Sequence, residues 1–107
     1  MNKFEYICDI NQKEILKAIK YHECYDSWGE VQYGNDKRAV EYNICIDNTT
    51  KETEYCSAFY KIELGKDGFW HHDDCSEYYS YNIDFNDKNW KENLKRAAKQ
   101  AFKELWD

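Results

Sequence analysis

The densest run of side chains able to bind a metal or move a proton is Phe69-Trp70-His71-His72-Asp73-Asp74-Cys75, with Glu77 two residues further on. His, Cys and carboxylate are all zinc ligands, so a metal centre is the first chemistry to weigh. The spacing argues against it. Structural zinc sites draw on paired ligands about two to five residues apart, whereas adjacent His71 and His72 point to opposite faces of an extended chain. His22-Glu23-Cys24 would complete a ligand set only if the fold carried it across. A histidine-metal nuclease needs a general base, a metal-binding His or Asn and a supporting strand–helix frame, and here the helix arrives late. The carboxylate–lysine grouping of restriction-type nucleases is missing, because neither Asp47 nor Glu63 is followed by a lysine at the strand spacing that chemistry uses. Cys75 with His72 or His22 as its base would suffice for a thiolate nucleophile, but most cysteines in such a setting are buried and inert. Gly29, Gly34, Gly65 and Gly68 form neither a P-loop nor a dinucleotide fingerprint. No catalytic residue, metal ligand or cofactor is therefore expected. The run reads as a loop with one His hydrogen-bonded and the other exposed.

Rings are the second candidate. Tyr25, Trp28, Tyr33, Trp70, Tyr78 and Tyr79 are available as walls that would stack a small nucleotide, although rings at alternate strand positions more often belong to a core. In Tyr78-Tyr79 one ring must face a covering helix and the other must face outward, and the outward set is Tyr78, Ser80 and Asn82. Tyr55 and Phe59 on the preceding hairpin are expected to join Tyr78 in an exposed aromatic patch rimmed by acids. Phe102 and Trp106 form another patch at the edge of the last helix, placed either to close the core or to mediate a homodimer.

The elements that must position these groups follow from periodicity. Residues 3–10 alternate loosely and open the fold as a strand. Asn11 with Glu14 makes a capping box, flanked by Ile10 and Ile15 as a hydrophobic staple, and Ile15, Leu16 and Ile19 stripe a helix over about 11–22. A turn-rich stretch follows over 24–36, with a short strand near Glu30 to Tyr33. Val40, Tyr42, Ile44 and Ile46 recur at period two, and so do Cys56, Ala58, Tyr60, Ile62 and Leu64, with Asp47-Asn48-Thr49-Thr50 as turn chemistry between them. That is a β-hairpin. Tyr79, Tyr81, Ile83 and Phe85 form a further alternating run. From Asp87 to Trp106 the period becomes helical, with Trp90, Leu94, Ala97, Ala98, Ala101 and Leu105 on one side. The expected class is α+β: one domain over 1–107, with a mainly antiparallel sheet of four to five strands, an early helix and a long C-terminal helix packed on the sheet.

Charge and composition narrow the function classes. The 107 residues hold 21 acids against 15 Lys and Arg, a net charge of −6. Six of the bases lie in 87–107, so the last helix is mildly basic on an acidic body. Leu, Ile, Val and Phe supply only 19 residues, and ten Tyr and four Trp make up the core area they lack. Direct nucleic-acid binding is disfavoured, because phosphate contacts need Lys and Arg. No apolar run approaches the ~20 residues of a membrane span, and the N-terminus lacks a secretory h-region. Five cysteines without CxxC spacing suit reduced thiols, which points to the cytoplasm.

These features describe a small acidic binding protein without catalytic machinery. The expected action is inhibition by occlusion of a basic, nucleic-acid-binding surface on a larger protein, through carboxylates and exposed rings. The expected contact residues are Trp70, Asp73, Asp74, Glu77, Tyr78, Tyr55 and Phe59, within a wider acidic set that includes Asp47, Glu52, Glu54 and Asp84. Phage-borne antagonists of bacterial defence systems share these general properties, and the Pro-free, AT-rich-genome composition favours them over toxin-immunity proteins. Two other classes compete. One is a module that sequesters a small nucleotide in an aromatic pocket, with phosphate charge met by Lys37-Arg38 or the basic helix; the other is a zinc-dependent enzyme built on His71, His72 and Cys75.

Overall fold

The computed structural model describes residues 3–47, 54–72 and 77–106, without the side chains of 54–56. The elements run β1 (Glu5–Cys8), α1 (Gln12–Lys20), β2 (Tyr25–Gly34), β3 (Arg38–Asp47), β4 (Glu54–Leu64), β5 (Trp70–His72), β6 (Tyr78–Ser80) and α2 (Trp90–Trp106). The strands form one antiparallel sheet in the order β1-β2-β3-β4. Both β5 and β6 pair with β4, the first against Ile62–Leu64 and the second against Ala58–Tyr60. The arrangement is α+β, with six strands and a first helix shorter than its periodicity suggested. No helix is long and apolar enough to cross a membrane.

Local chemistry accounts for the helix ends. The Asn11 side chain accepts the Glu14 backbone N–H at 3.3 Å, satisfying one donor of the first turn of α1. At the other end His22 takes a left-handed backbone, φ 54°, and the Glu23 N–H reaches back to the Ala18 carbonyl at 2.9 Å. That closing turn is normally given to glycine, since a Cβ is disfavoured there. His22→Gly is therefore expected to raise stability by about 1 kcal/mol, read as a higher urea midpoint at unchanged slope. α2 starts on Asp87, whose carboxylate accepts the Asn89 N–H at 2.8 Å and the Asn93 side-chain amide at 3.2 Å. It ends on Trp106, whose indole N–H donates to the Ala39 carbonyl at 2.9 Å while Arg38 and Lys61 stand over the ring.

Both helices cover the same face of the sheet. Trp90, Leu94, Ala97, Ala98, Ala101 and Leu105 of α2 are all buried, and Ile15 of α1 joins them in a core with Val31, Val40, Tyr42, Ile44, Ile46 and Phe59. Tyr42 and Phe59 are cross-strand partners, so their rings pack with centroids 4.5 Å apart beneath the alanine-bearing side of α2. Burial raises the Tyr42 phenol well above its ordinary pKa, and its hydroxyl donates to the Tyr81 carbonyl. Phe102 stacks edge-on to Phe4 and Tyr33, so Phe102 and Trp106 close the core.

Several sequence expectations need correcting. Trp70–His72 is a strand paired with β4, where a loop was expected, and both histidines are hydrogen-bonded where one was expected to be. Phe59 does not face outward: it pairs with Tyr42, shares its face and is 0% exposed. The strand near Glu30 to Tyr33 is the end of a ten-residue strand beginning at Tyr25. Of the run that alternates through Phe85, only Tyr78–Ser80 is strand; Tyr81 adds one further bond, its N–H donating to the Ser57 carbonyl at 3.0 Å. Beyond that point Ile83 and Phe85 reach the core without sheet hydrogen bonds.

Candidate functional site

Strand alternation and register assign every residue of the second sheet face, which no described helix covers. Val40, Tyr42, Ile44 and Ile46 point to the helices, so Ala39, Glu41, Asn43, Cys45 and Asp47 point away. Across the register, Glu41 lies beside Tyr60 and Gln32, and Asn43 beside Ala58 and Trp28. Tyr60 pairs with Tyr78 and Ile62 with His72, which brings β5 and β6 to the same surface.

Rings dominate the centre of this face. Trp28 lies 5.1 Å from Tyr60 and 5.0 Å from His72 between ring centroids, and Tyr60 lies 6.0 Å from Tyr78. Trp28 is 47% exposed, Tyr78 59% and Trp70 40%. Beneath them Ala58 and Ile62 are buried although no helix reaches them. Trp70 also borders a hollow of about 170 Å³ whose other walls include Ile7, Gln32 and Ala39. Exposed aromatic area of this kind, rimmed by polar groups, is characteristic of binding surfaces.

A bulge in β2 puts Trp28 in place. Three residues between Trp28 and Gln32 face the single Tyr42, and Gly29 within the bulge has φ +77°. The Glu30 carboxylate ties the bulge together, accepting from the Tyr25 hydroxyl at 2.6 Å and the Ser27 hydroxyl at 2.8 Å. Burial, then the adjoining Glu30 carboxylate, push the Tyr25 phenol up to about 12. On the open side the Asn43 amide donates to the Asp26 carboxylate at 2.9 Å, which satisfies a buried side chain and fixes the acid.

Among the described residues, the Asp, Glu, Lys and Arg side chains of the face are all acidic. Glu5, Asp26, Glu41 and Asp47 all belong to it, whereas the only two cationic residues of the strands, Arg38 and Lys61, take the helix side over Trp106. No described Lys or Arg comes within ion-pair distance of Glu5, Asp26 or Glu41; the partner of Glu41 is His72, at 3.1 Å.

Of the expected contact residues, Trp70 and Tyr78 lie on this face and Glu77 is exposed at its edge, beside β6. Phe59 belongs to the core. Asp73 and Asp74 lie outside the described residues, as does the side chain of Tyr55, whose backbone pairs with Ile46 in β4. Sequence reasoning missed Trp28, Tyr60 and Glu41 as one cluster. Glu41 was legible, since it alternates with Val40 and Tyr42; Trp28 was not, because its placement depends on the bulge.

The two histidines part company. His72 turns to Glu41, while His71 meets the Asp67 carboxylate at 2.8 Å in the turn before β5. The Phe69 N–H and then His71 hold the Asp67 carboxyl below its ordinary pKa. Among the described residues no three His, Cys, Asp or Glu converge in a metal-binding group, and Cys75 lies outside them. On the helix side an open groove of about 400 Å³ runs between Tyr79, Tyr81, Asn93, Arg96 and Gln100. The chain has no significant match to a protein-family model, to a curated protein or to a solved structure.

Proposed function

We propose that the protein is a binding protein whose open sheet face docks onto a basic surface of a larger protein and occludes it. One observation carries this reading: the face that no described helix covers combines exposed Trp28, Trp70 and Tyr78 with carboxylates from three strands, while the strand cations are turned to the other side. Rings provide desolvated contact area, and the carboxylates steer the approach of a cationic partner and select against acidic ones. A target that uses its basic surface to hold nucleic acid would lose that function by simple coverage. A role as a phage-borne antagonist of a defence system suits this mode of action, and so does neutralisation of a nuclease toxin.

The test is affinity capture from host lysate with three parallel baits: the wild type, Glu5→Lys/Glu41→Lys on the open face and Glu92→Lys/Glu104→Lys on α2. The reading expects a protein with a basic surface to be held at about 0.1 M salt, released at about 0.5 M, and lost from the open-face variant alone. A partner captured equally by the open-face variant would refute it.

The helix-side groove favours a second reading, capture of a small anionic ligand between Tyr79, Tyr81 and Arg96. That reading expects a small molecule released from the protein on denaturation, and retention of that molecule by both charge-reversal variants.

A further inference from the structure

We infer that Glu41, walled by Trp28, Tyr60 and His72, is a seat for a guanidinium group, so that the partner inserts an arginine at this point of the face. The inference rests on the open face being the docking surface and adds which side chain it recognises.

Glu41 is the least exposed acid of the ion pairs in the described structure, its side chain 16% exposed against 52% for Asp67. A carboxylate withdrawn this far from water gains more from a cation than one on the rim, because solvent screens it less. Its Oε2 meets His72, and its Oε1 lies against Gly29. A Cβ at position 29 would come within 2.9 Å of Oε1, so the glycine of the bulge leaves that oxygen uncrowded.

The rings supply the second half of the seat. Tyr60 is the register neighbour of Glu41, and Trp28 contacts both Tyr60 and His72, so the carboxylate sits within a continuous aromatic wall. Ring faces carry negative charge density and attract cations. Trp28 and His72 each leave about half of their surface to an incoming group.

A guanidinium fits both halves better than an ammonium. It is planar and weakly hydrated, so it can stack on an indole face while its edge donates two N–H groups to one carboxylate. An ammonium is compact and strongly hydrated and makes only one of those contacts well. Among the described residues the ionic partner of Glu41 is His72, and no Lys or Arg pairs with it.

The experiment titrates the full-length protein with a fluorescently labelled glycine-rich peptide carrying three arginines, and with counterparts in which lysine or citrulline replaces arginine. Citrulline keeps the planar shape and removes the charge. The arginine peptide is expected to bind at least about threefold tighter than the lysine peptide and about tenfold tighter than the citrulline peptide. Glu41→Gln, nearly isosteric, is expected to weaken arginine-peptide binding about tenfold and to erase its advantage over lysine. Asp26→Asn, on the same face, is expected to weaken both cationic peptides alike and to leave the preference intact. Trp28→Ala supplies a second variant that must reduce the preference.

Equal binding of the arginine and lysine peptides, or a preference that survives Glu41→Gln, overturns the seat while leaving the open face as a cation-binding surface. Failure of both cationic peptides to bind overturns the seat together with the reading it rests on.

Discussion

Phe59→Ala is expected to cost about 3–5 kcal/mol of folding stability, whereas Tyr60→Ala, one residue along the same strand, is expected to cost about 1 kcal/mol or less. The difference follows from the two faces of β4. Phe59 is sealed between Tyr42 and the α2 layer, so its removal leaves a cavity that close-packed neighbours can only partly fill. Tyr60 packs laterally against Trp28 and Tyr78 on the surface, and water can take its place. Urea denaturation followed by far-ultraviolet circular dichroism measures both, with equal slopes showing that the native fold is retained. In binding assays the order should invert: Tyr60→Ala weakens the complex, while Phe59→Ala acts only through the fraction folded. A larger stability loss for Tyr60 would mean that β4 presents its other side to the helices.

The second large effect concerns charge at a defined place. Glu5→Lys/Glu41→Lys is expected to lower affinity for the basic partner about a hundredfold or more, with a slower association and a flatter salt dependence. Glu92→Lys/Glu104→Lys changes the net charge by the same amount on the exposed side of α2 and should leave affinity within about threefold. The pair separates local complementarity from overall attraction, because a purely net-charge effect would weaken both variants equally. Neither pair touches the core, so stability should change by no more than about 1 kcal/mol.

Much of the frame could be read from the chain because single residues settle it. The six apolar positions of α2 fall on one side at helical spacing, and Asn11 with Glu14 announces the start of α1. The β3–β4 hairpin is equally plain, since Val40 to Ile46 alternate without exception. What resisted was the parity of β4. Both of its faces are apolar: Phe59 fills the core, yet Ala58 and Ile62 are buried on the open side, so alternation alone cannot say which set faces the helices. The length of β2 was hidden for a related reason. Gly29 and Gly34 signal turns, but Gly29 sits in a bulge and Gly34 lets the backbone of Arg38 and Ala39 approach closely.

The candidate site was legible in its chemistry more than in its address. An acidic surface bearing rings was expected from composition, and Trp70 and Tyr78, two of the residues expected on it, lie on the open face. Asp84, which the sequence suggested as part of the acidic surface, is exposed and accepts the Asn86 N–H at 2.9 Å in the turn leading towards α2. Asp47, named from the sequence, does share the ring-bearing face, and it is joined there by Glu5, Asp26 and Glu41, which come from three strands that only the register brings together.

The four tryptophans divide evenly between the layers, Trp28 and Trp70 on the open face and Trp90 and Trp106 in the helix layer, so their indole N–H resonances report directly on which side a partner covers. In a nuclear magnetic resonance titration of isotope-labelled protein with a basic partner or a cationic peptide, the Trp28 and Trp70 indole signals should shift first and furthest, with Trp90 and Trp106 nearly still. Movement of Trp90 and Trp106 with Trp28 and Trp70 unchanged would contradict the assignment of the open face as the binding surface.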